Sequence, residues 1–288
     1  MPFQLQVFRS GSSGNCALLT SGRTRLLIDA GVGPRVLAKE LSVHGLGVRD
    51  LTAAIFTHCH HDHLRANTLA LLAREGVTSY MAPGTWERAR KRDAAGLLDA
   101  MPANRVGFFD PESPFELEAM AVETFRVSHG DPGPHNPAGD PVGFTMHDGA
   151  DTFGYCTDVG FLCDRALACL GRADLLVLES NHDIEMERMS ARPWPTKQWI
   201  LGETGHLSNV QAAAAIAELF ANREGKGVLL AHLSEMCNTS GLARETAREA
   251  IAGRGELRIG VAQRHTASTP WELKHGVATA LAETFAGL

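Results

Sequence analysis

The string Thr57-His58-Cys59-His60-His61-Asp62-His63 holds five ring or carboxylate side chains in the six residues from His58 to His63. Imidazole nitrogens and carboxylate oxygens are the donors that first-row divalent metals take. His58 and His60 are two apart on an extended turn, so both side chains leave on the same side. Asp62 and His63 sit where the chain enters the next helix, and their side chains leave in another direction. One ion rarely draws four ligands from so short a stretch. Two ions, each completed by ligands from elsewhere, is the arrangement this spacing implies. A solvated turn would use Asn, Asp, Gly and Ser instead of four histidines.

The remaining ligands must come from the ends of strands. His129 closes the run Met120 to Val127, with Ser128 between, and Asp158 follows Thr152 to Thr157. His232 follows Val228 to Ala231, and Asp29 follows Leu26 to Ile28. Each is a polar residue just past an apolar run, where a loop presents function from a rigid scaffold. Any one alone would be an ordinary hydrogen-bonded residue.

The elements that position them read as follows. Phe3 to Phe8, Cys16 to Thr20, Thr24 to Ile28 and Leu51 to Phe56 have strand patterns, the first three joined by turns rich in Ser and Gly. Thr78 to Met81, Val106 to Phe109, Phe115 to Leu117 and Met120 to Val127 follow as strands, and Val142–His147 with Thr152–Thr157 form a hairpin. Leu175 to Leu178, Val228 to Ala231 and Leu257 to Ala262 complete the strands, and a short tail helix is expected after them. Helical spacing covers residues 34–43, 67–74, 86–99, 163–170, 210–220 and 244–251. Hairpins lying beside helices argue against a doubly wound parallel sheet and for two sheets packed face to face with helices outside. The irregular segment Gly130 to Pro141 reads as a surface excursion, so residues 1–288 are expected to form one domain.

Composition bounds the partners. The 288 residues are 44% hydrophobic and 21% charged, too apolar for a disordered chain. With 27 Lys and Arg against 33 Asp and Glu the net charge is −6, which excludes a basic nucleic-acid coat but not a local anion site built on metal. No stretch approaches the roughly 18 apolar residues of a membrane span. Residues Met1 to Thr20 lack the pattern of a secretion signal. A soluble cytoplasmic protein with no membrane partner is expected, its six scattered cysteines (16, 59, 156, 163, 169 and 237) being free thiols.

The string His58-x-His60-x-Asp62-His63, with Asp29 in Leu-Leu-Ile-Asp-Ala-Gly and His129, Asp158 and His232 in order, resembles the signature of the metallo-β-lactamase superfamily. Ser10 to Cys16, Glu179 to Asp183, Gly205 to Asn209 and Ala231 to Glu235 are similar to a narrower group within it, the YycJ/WalJ/VicX-type hydrolases. The likeness spans nearly the whole chain and implies an α+β fold, the four-layer αββα sandwich. It implies that one metal takes His58, His60 and His129, the other Asp62, His63 and His232, that Asp158 bridges, and that Asp29 holds a ligand from behind. The implied cofactors are two divalent ions, zinc first, with manganese or iron as alternatives. The implied activity is that of a dinuclear hydrolase, a phosphodiesterase or nuclease acting on DNA or RNA through a metal-bridging hydroxide. A carbonyl-ester hydrolase acting on a lactone or thioester, a redox di-iron variant, and a regulatory protein without chemistry are the alternatives. One departure from the family pattern is the insert after His129, which carries His135 as a second candidate ligand; His129 is preferred because it ends a strand.

Beyond the ligands, Asp62 and His206 are the catalytic candidates. His206 lies in a Gly-His-Leu-Ser-Asn turn ahead of a helix, suited to stabilise the leaving oxygen and the charge that builds on phosphorus. Ser208 and Asn209 suit the cap of that helix, whose amides also suit a phosphate. Ser12, Asn181, His182 and Ser208 are candidates for contacting substrate or bracing ligands. The basic run Arg88, Arg90, Lys91, Arg92 reads as a solvated helix face, and Trp194 as packing on its own proline-flanked loop.

Overall fold

The computed structural model describes residues 2–130, 138–221, 223–253 and 256–281. The first half forms β1 (Phe3–Arg9), β2 (Cys16–Ser21), β3 (Thr24–Ile28), α1 (Pro34–Val43), β4 (Ala53–Ile55), α2 (Ala66–Arg74), β5 (Thr78–Met81), α3 (Pro83–Arg92) and β6 (Val106–Phe108). A second sheet then begins with β7 (Phe115–Leu117), β8 (Met120–Arg126), β9 (Val142–His147) and β10 (Thr152–Cys156). The chain continues through α4 (Asp164–Leu170), β11 (Leu175–Glu179), α5 (Ile184–Met189), α6 (Trp194–Ile200), α7 (Asn209–Leu219), β12 (Lys226–Ala231), α8 (Ser240–Ala250) and β13 (Leu257–Val261). A last hairpin, β14 (Trp271–Lys274) and β15 (Val277–Ala280), returns to the first sheet. Strand order is β15-β14-β1-β2-β3-β4-β5-β6 in one sheet and β13-β12-β11-β10-β9-β8-β7 in the other.

Strand alternation builds the layers. In β11, Leu175 and Val177 face the opposite sheet, while Leu176 and Leu178 pack under the helices. In β3, Leu26 and Ile28 face inward and Leu27 faces the helices. Three apolar bodies result: one between the sheets, one beneath α1 and α2, one beneath α4, α7 and α8. This is the αββα sandwich. Strands buried on both faces lose the polar–apolar alternation of a half-exposed strand, which is why β11 and β12 are continuous apolar runs.

Three expectations about elements are corrected. The helix expected at 86–99 occupies Pro83–Arg92 instead, started early by Pro83 in its first turn. It stops because Asp93 accepts a hydrogen bond from Leu98 N (2.6 Å) and Gly96 turns the chain at φ 66°. Where a tail helix is expected, residues 271–280 form the β14–β15 hairpin, and residues 282–288 lie outside the described residues; the hairpin's two-residue turn has His275 at φ 51° and Gly276 at φ 73°, the pattern of a type I′ turn, and Asp151 accepts from both amides. Helices α5 and α6 fill a stretch with no expected element; Asp183 caps the first and Pro195 sits in the first turn of the second. No disulfide joins any of the six cysteines, and among the described residues no helix is long and apolar enough to cross a membrane.

Candidate metal centre

The parallel strands of both sheets end at one place. In the second sheet, register pairs Cys156 with Leu178 and Glu179 with Ala231, so β10, β11 and β12 finish level with one another. Asp158 and His232 follow the outer two, while Glu179 is the last residue of the middle strand. In the first sheet β3 and β4 run parallel, with Ile28 beside Ile55. Asp29 follows β3, and the histidine loop follows β4. Asp29, Asp158 and His232 all adopt positive φ, 56°, 54° and 55°. That region is costly for residues with a Cβ, and such strain persists where the surrounding structure overrides it, commonly at functional sites.

The histidine loop is held by backbone contacts. Asn15 N donates to Asp62 O (2.6 Å) and Ala30 N to His63 O (2.7 Å). The loop passes so close to Gly31 that a Cβ there would stand 1.7 Å from Asp62 O. Only glycine permits that approach.

Seven side chains converge on this point. His58 Nε2 lies 3.0 Å from His60 Nδ1, and His129 Nε2 lies 3.2 Å from that same atom. Across the centre, His63 Nε2 is 2.8 Å from Asp158 Oδ2 and 3.7 Å from Asp62 Oδ2. His232 Nε2 is 3.4 Å from Asp62 Oδ2 and 3.6 Å from Asp158 Oδ2. Asp158 faces both groups, since its Oδ1 lies 3.5 Å from His129 Nε2. His58, His60 and His129 form one compact set of donor atoms, Asp62, His63 and His232 another.

The far sides of the rings decide what the near sides offer. His63 Nδ1 meets Asp29 Oδ2 at 2.7 Å, His232 Nδ1 meets Glu179 Oε1 at 2.9 Å, and His129 Nδ1 meets the Gly205 carbonyl at 3.0 Å. Those partners only accept, so each Nδ1 carries the proton. A neutral ring then turns the lone pair of its Nε2 to the centre, the tautomer that metal-binding histidines adopt. His58 Nδ1 is similarly engaged by Thr57 Oγ1 (3.0 Å), itself anchored on Asp29.

The charge at the site asks for a cation. Asp29, Asp158 and Glu179 are buried and Asp62 half-buried in one cluster, and among the described residues their ion-pair partners are histidines alone, with no lysine or arginine. Buried carboxylates need a charge partner. Burial, reinforced by neighbouring rings, pushes the His58 imidazole well below its ordinary value, and burial brings His60 and His129 to about 4. These rings stand neutral, the form in which imidazole can bind metal. Burial also lowers His232, but Asp158 foremost, with Asp62 and Glu179, outweighs it and lifts the ring to about 10. There a proton stands where a bound cation would compete for the same lone pair. The donor set therefore fits divalent metal.

Glu179 is the residue that sequence reasoning missed. Its Oε1 meets both His206 Nδ1 (2.8 Å) and His232 Nδ1, while its Oε2 accepts from Val159 N (2.9 Å) and Leu207 N (3.2 Å). Burial alone would raise its carboxyl, yet the His206 and His232 rings hold it at about 2. The strand-end pattern that picked out Asp29, Asp158 and His232 applies equally to Glu179, an acid closing Leu-Leu-Val-Leu. Alternation continues the inward row of Leu175 and Val177 onto it.

A cavity of about 390 Å³ opens over the centre. Ser12 and Asn181 line it, together with Arg92, Arg192, Trp199 and Ser234. Asn181 Nδ2 donates to His232 O (2.7 Å) and so holds that ligand's backbone. His182 and Ser208 do not line it. The His182 ring is fully buried, and its ring nitrogens make no hydrogen bond among the described residues. Ser208 caps α7 in a reciprocal pair with Gln211. His135 lies outside the described residues. The reading of the basic run holds for Arg90, which pairs with exposed Asp99, but Arg92 instead reaches the cavity wall and donates to Cys59 O (3.3 Å). Trp194 is 61% exposed and does not pack as expected. Trp199, further along α6, has its ring against His206 and donates to Gly130 O (2.6 Å).

Comparison with known proteins agrees with this architecture. The model of the β-lactamase superfamily domain matches residues 24–232. The chain is 30% identical over 256 residues to the exodeoxyribonuclease YycJ of Bacillus anthracis, covering 88% of this chain and 91% of that one. It is 31% identical over 260 residues to the exodeoxyribonuclease WalJ of Streptococcus pneumoniae, covering 90% and 91%. Among solved structures, the metallo-β-lactamase fold protein YhfI of Bacillus subtilis superimposes with a TM-score of 0.67 at 20% identity, over 94% of this chain and 100% of the other. Fold, ligand order and sequence agree: this chain belongs to the β-lactamase superfamily.

Proposed function

We propose that the protein is a metal-dependent phosphodiesterase acting on nucleic acid, most simply DNA, with two divalent ions at the centre. The observation that carries the reading is the placement of Asp158 between two ligand sets, one carboxylate oxygen toward each. Ions held by His58, His60 and His129 and by Asp62, His63 and His232 would supply an activated water and polarise the phosphoryl oxygens. Relatives of about 30% identity over most of the chain carry exodeoxyribonuclease names, which supports a phosphodiester as the bond cleaved.

The chain's own residues do the rest. Asp62 stands beside His63 and His232 and accepts a proton as the attacking water forms its bond to phosphorus. Phosphodiester cleavage also needs a proton for the departing oxygen. His206 lines the cavity with Nδ1–H given to Glu179, so its Nε2 is the atom left for substrate. In the doubly protonated ring Nε2–H passes to the leaving oxygen, and Glu179 stabilises the cationic ring until it does. Glu179 ties this donor and the ligand His232 to one carboxylate, which fixes their separation.

The test is metal content measured beside turnover of single-stranded DNA, a simple aryl phosphodiester and a lactone. Two ions per chain with phosphodiester turnover, lost in His206→Ala while metal is kept, is the expected result. Full metal occupancy with lactone turnover and no phosphodiester turnover overturns it.

A further inference from the structure

Arg192 lies between α5 and α6 and contributes to the wall of the cavity. Its guanidinium is not free to wander. Nη1 pairs with Glu187, whose side chain is fully buried, and Nη2 donates to Ser234 Oγ (3.4 Å). A fully buried carboxylate that holds one guanidinium nitrogen while Ser234 holds the other is a mount, not a surface ion pair. Nε–H makes no hydrogen bond among the described residues, and the Arg192 side chain keeps 25% of its surface exposed. Ser234 is mounted too: its amide donates to Asn181 O (2.7 Å), and its Oγ accepts from Cys237 N (3.2 Å) as well as from Arg192. With both lone pairs so used, its hydroxyl proton is left to donate, and Ser234 also lines the cavity. Arg192 and Ser234 thus form a held pair of donors on the cavity wall, with N–H and O–H groups to spare beyond the contacts that Glu187 and Asn181 fix.

Their position says which group they meet. Ser234 is two residues beyond the ligand His232, a span of at most about 7 Å along the chain. That keeps the pair within about one phosphate-to-phosphate stride of the ligand sets, in the same cavity but on residues that belong to neither set. Resting on the phosphodiesterase reading above, we infer that Arg192 and Ser234 bind the phosphate adjacent to the one cleaved. The substrate class is then a strand carrying at least two phosphates, and a lone diester engages only part of the site. The cavity of about 390 Å³ is at the small end of ligand sites, in keeping with a cleft that takes a nucleotide at a time.

The test compares a short single-stranded DNA with bis(p-nitrophenyl) phosphate, which has no second phosphate. In Arg192→Lys, which keeps a charge beside Glu187 but loses the guanidinium's further N–H donors, the ratio of kcat/KM for DNA to that for the aryl diester falls about tenfold, the loss appearing in KM. Ser234→Ala, which leaves the ion pair intact, lowers the ratio in the same direction by less. The paired variant Glu187→Gln with Arg192→Gln removes both charges together and avoids stranding a buried carboxylate. In it, equilibrium binding of the same DNA, read by fluorescence anisotropy across salt concentrations, weakens and its salt slope drops by about one. Equal losses on both substrates, or an unchanged slope, overturn the inference. Should the native protein bind DNA with an Arg192-dependent slope yet cleave neither substrate, the phosphodiesterase reading fails and the phosphate contact stands.

Discussion

Two halves of the candidate metal centre are built by different means. The loop after β4 supplies His58, His60, Asp62 and His63 from six consecutive residues, held by backbone contacts to Gly31 and Asn15. The second sheet supplies Asp158, Glu179 and His232 from three separate strands, brought level only by parallel register. The first half is local and depends on one close approach. The second is topological and depends on the whole sheet. Each half has its own carboxylate behind it: Asp29 anchors Thr57 and His63, while Glu179 anchors His206 and His232.

Asp158, from the sheet half, stands between the two ligand sets that both halves build, so its loss has the largest effect. Asp158→Ala should remove metal from both sets and reduce phosphodiester turnover by more than the ~100-fold that loss of an outer partner costs. Metal analysis and turnover on one preparation check it. If one full equivalent of metal remained tightly bound, the two ligand sets would be independent sites and the bridge would be lost as an idea.

His206→Ala comes next. Removing a positioned proton donor costs ~10²–10⁴-fold in turnover. Metal content should be that of the native protein, because the His206 ring is attached to Glu179 and does not belong to either three-residue ligand set. An aryl diester with a very good leaving group should be spared part of the loss, since its leaving oxygen needs less help.

The two outer carboxylates then sharpen the contrast directly. Glu179→Gln and Asp29→Asn should each lower metal affinity ~10–100-fold. They differ in what else moves. Glu179→Gln also disturbs His206 and so depresses turnover of fully metal-loaded protein, whereas Asp29→Asn leaves the loaded rate much nearer the native one. Equal effects on loaded turnover would dissolve the division of labour between the halves.

The same division explains what was legible in the chain. A dense run of ligands after a strand needs no fold to be recognised, because four histidines in a turn have no ordinary purpose. His129, Asp158 and His232 were readable only as polar residues closing apolar runs, a signal that many surface residues share. Glu179 carries that signal as well, but hides in an apolar strand whose inward face shows only once the sheets are paired. The β14–β15 hairpin was missed because His275 replaces the Asn or Asp usual at a left-handed turn position. Arg192, Trp199 and Arg92 carry no local signal at all; their helices or loops deliver them to the cavity from stretches whose pattern shows only solvated or irregular chain. The sandwich itself was readable because buried strands and amphipathic helices alternate along the chain with little ambiguity.

The smallest expected effect concerns Ser208. Its side chain accepts from Gln211 N and the Gln211 side chain accepts from Ser208 N, a reciprocal cap that starts α7 immediately after the turn carrying His206. Ser208→Ala removes one half of that cap and should cost about 1 kcal/mol of stability. In a chain of this size that lowers the melting temperature by about 2 °C, measurable by thermal unfolding of the metal-loaded protein. The turn retains its other anchors, His206 N on Ile200 O and Leu207 N on Glu179. Turnover of the folded variant should therefore fall far less than in His206→Ala. A collapse to the His206→Ala level would mean that this hydroxyl touches the substrate, and that the start of α7 belongs to the reacting site instead of to its support.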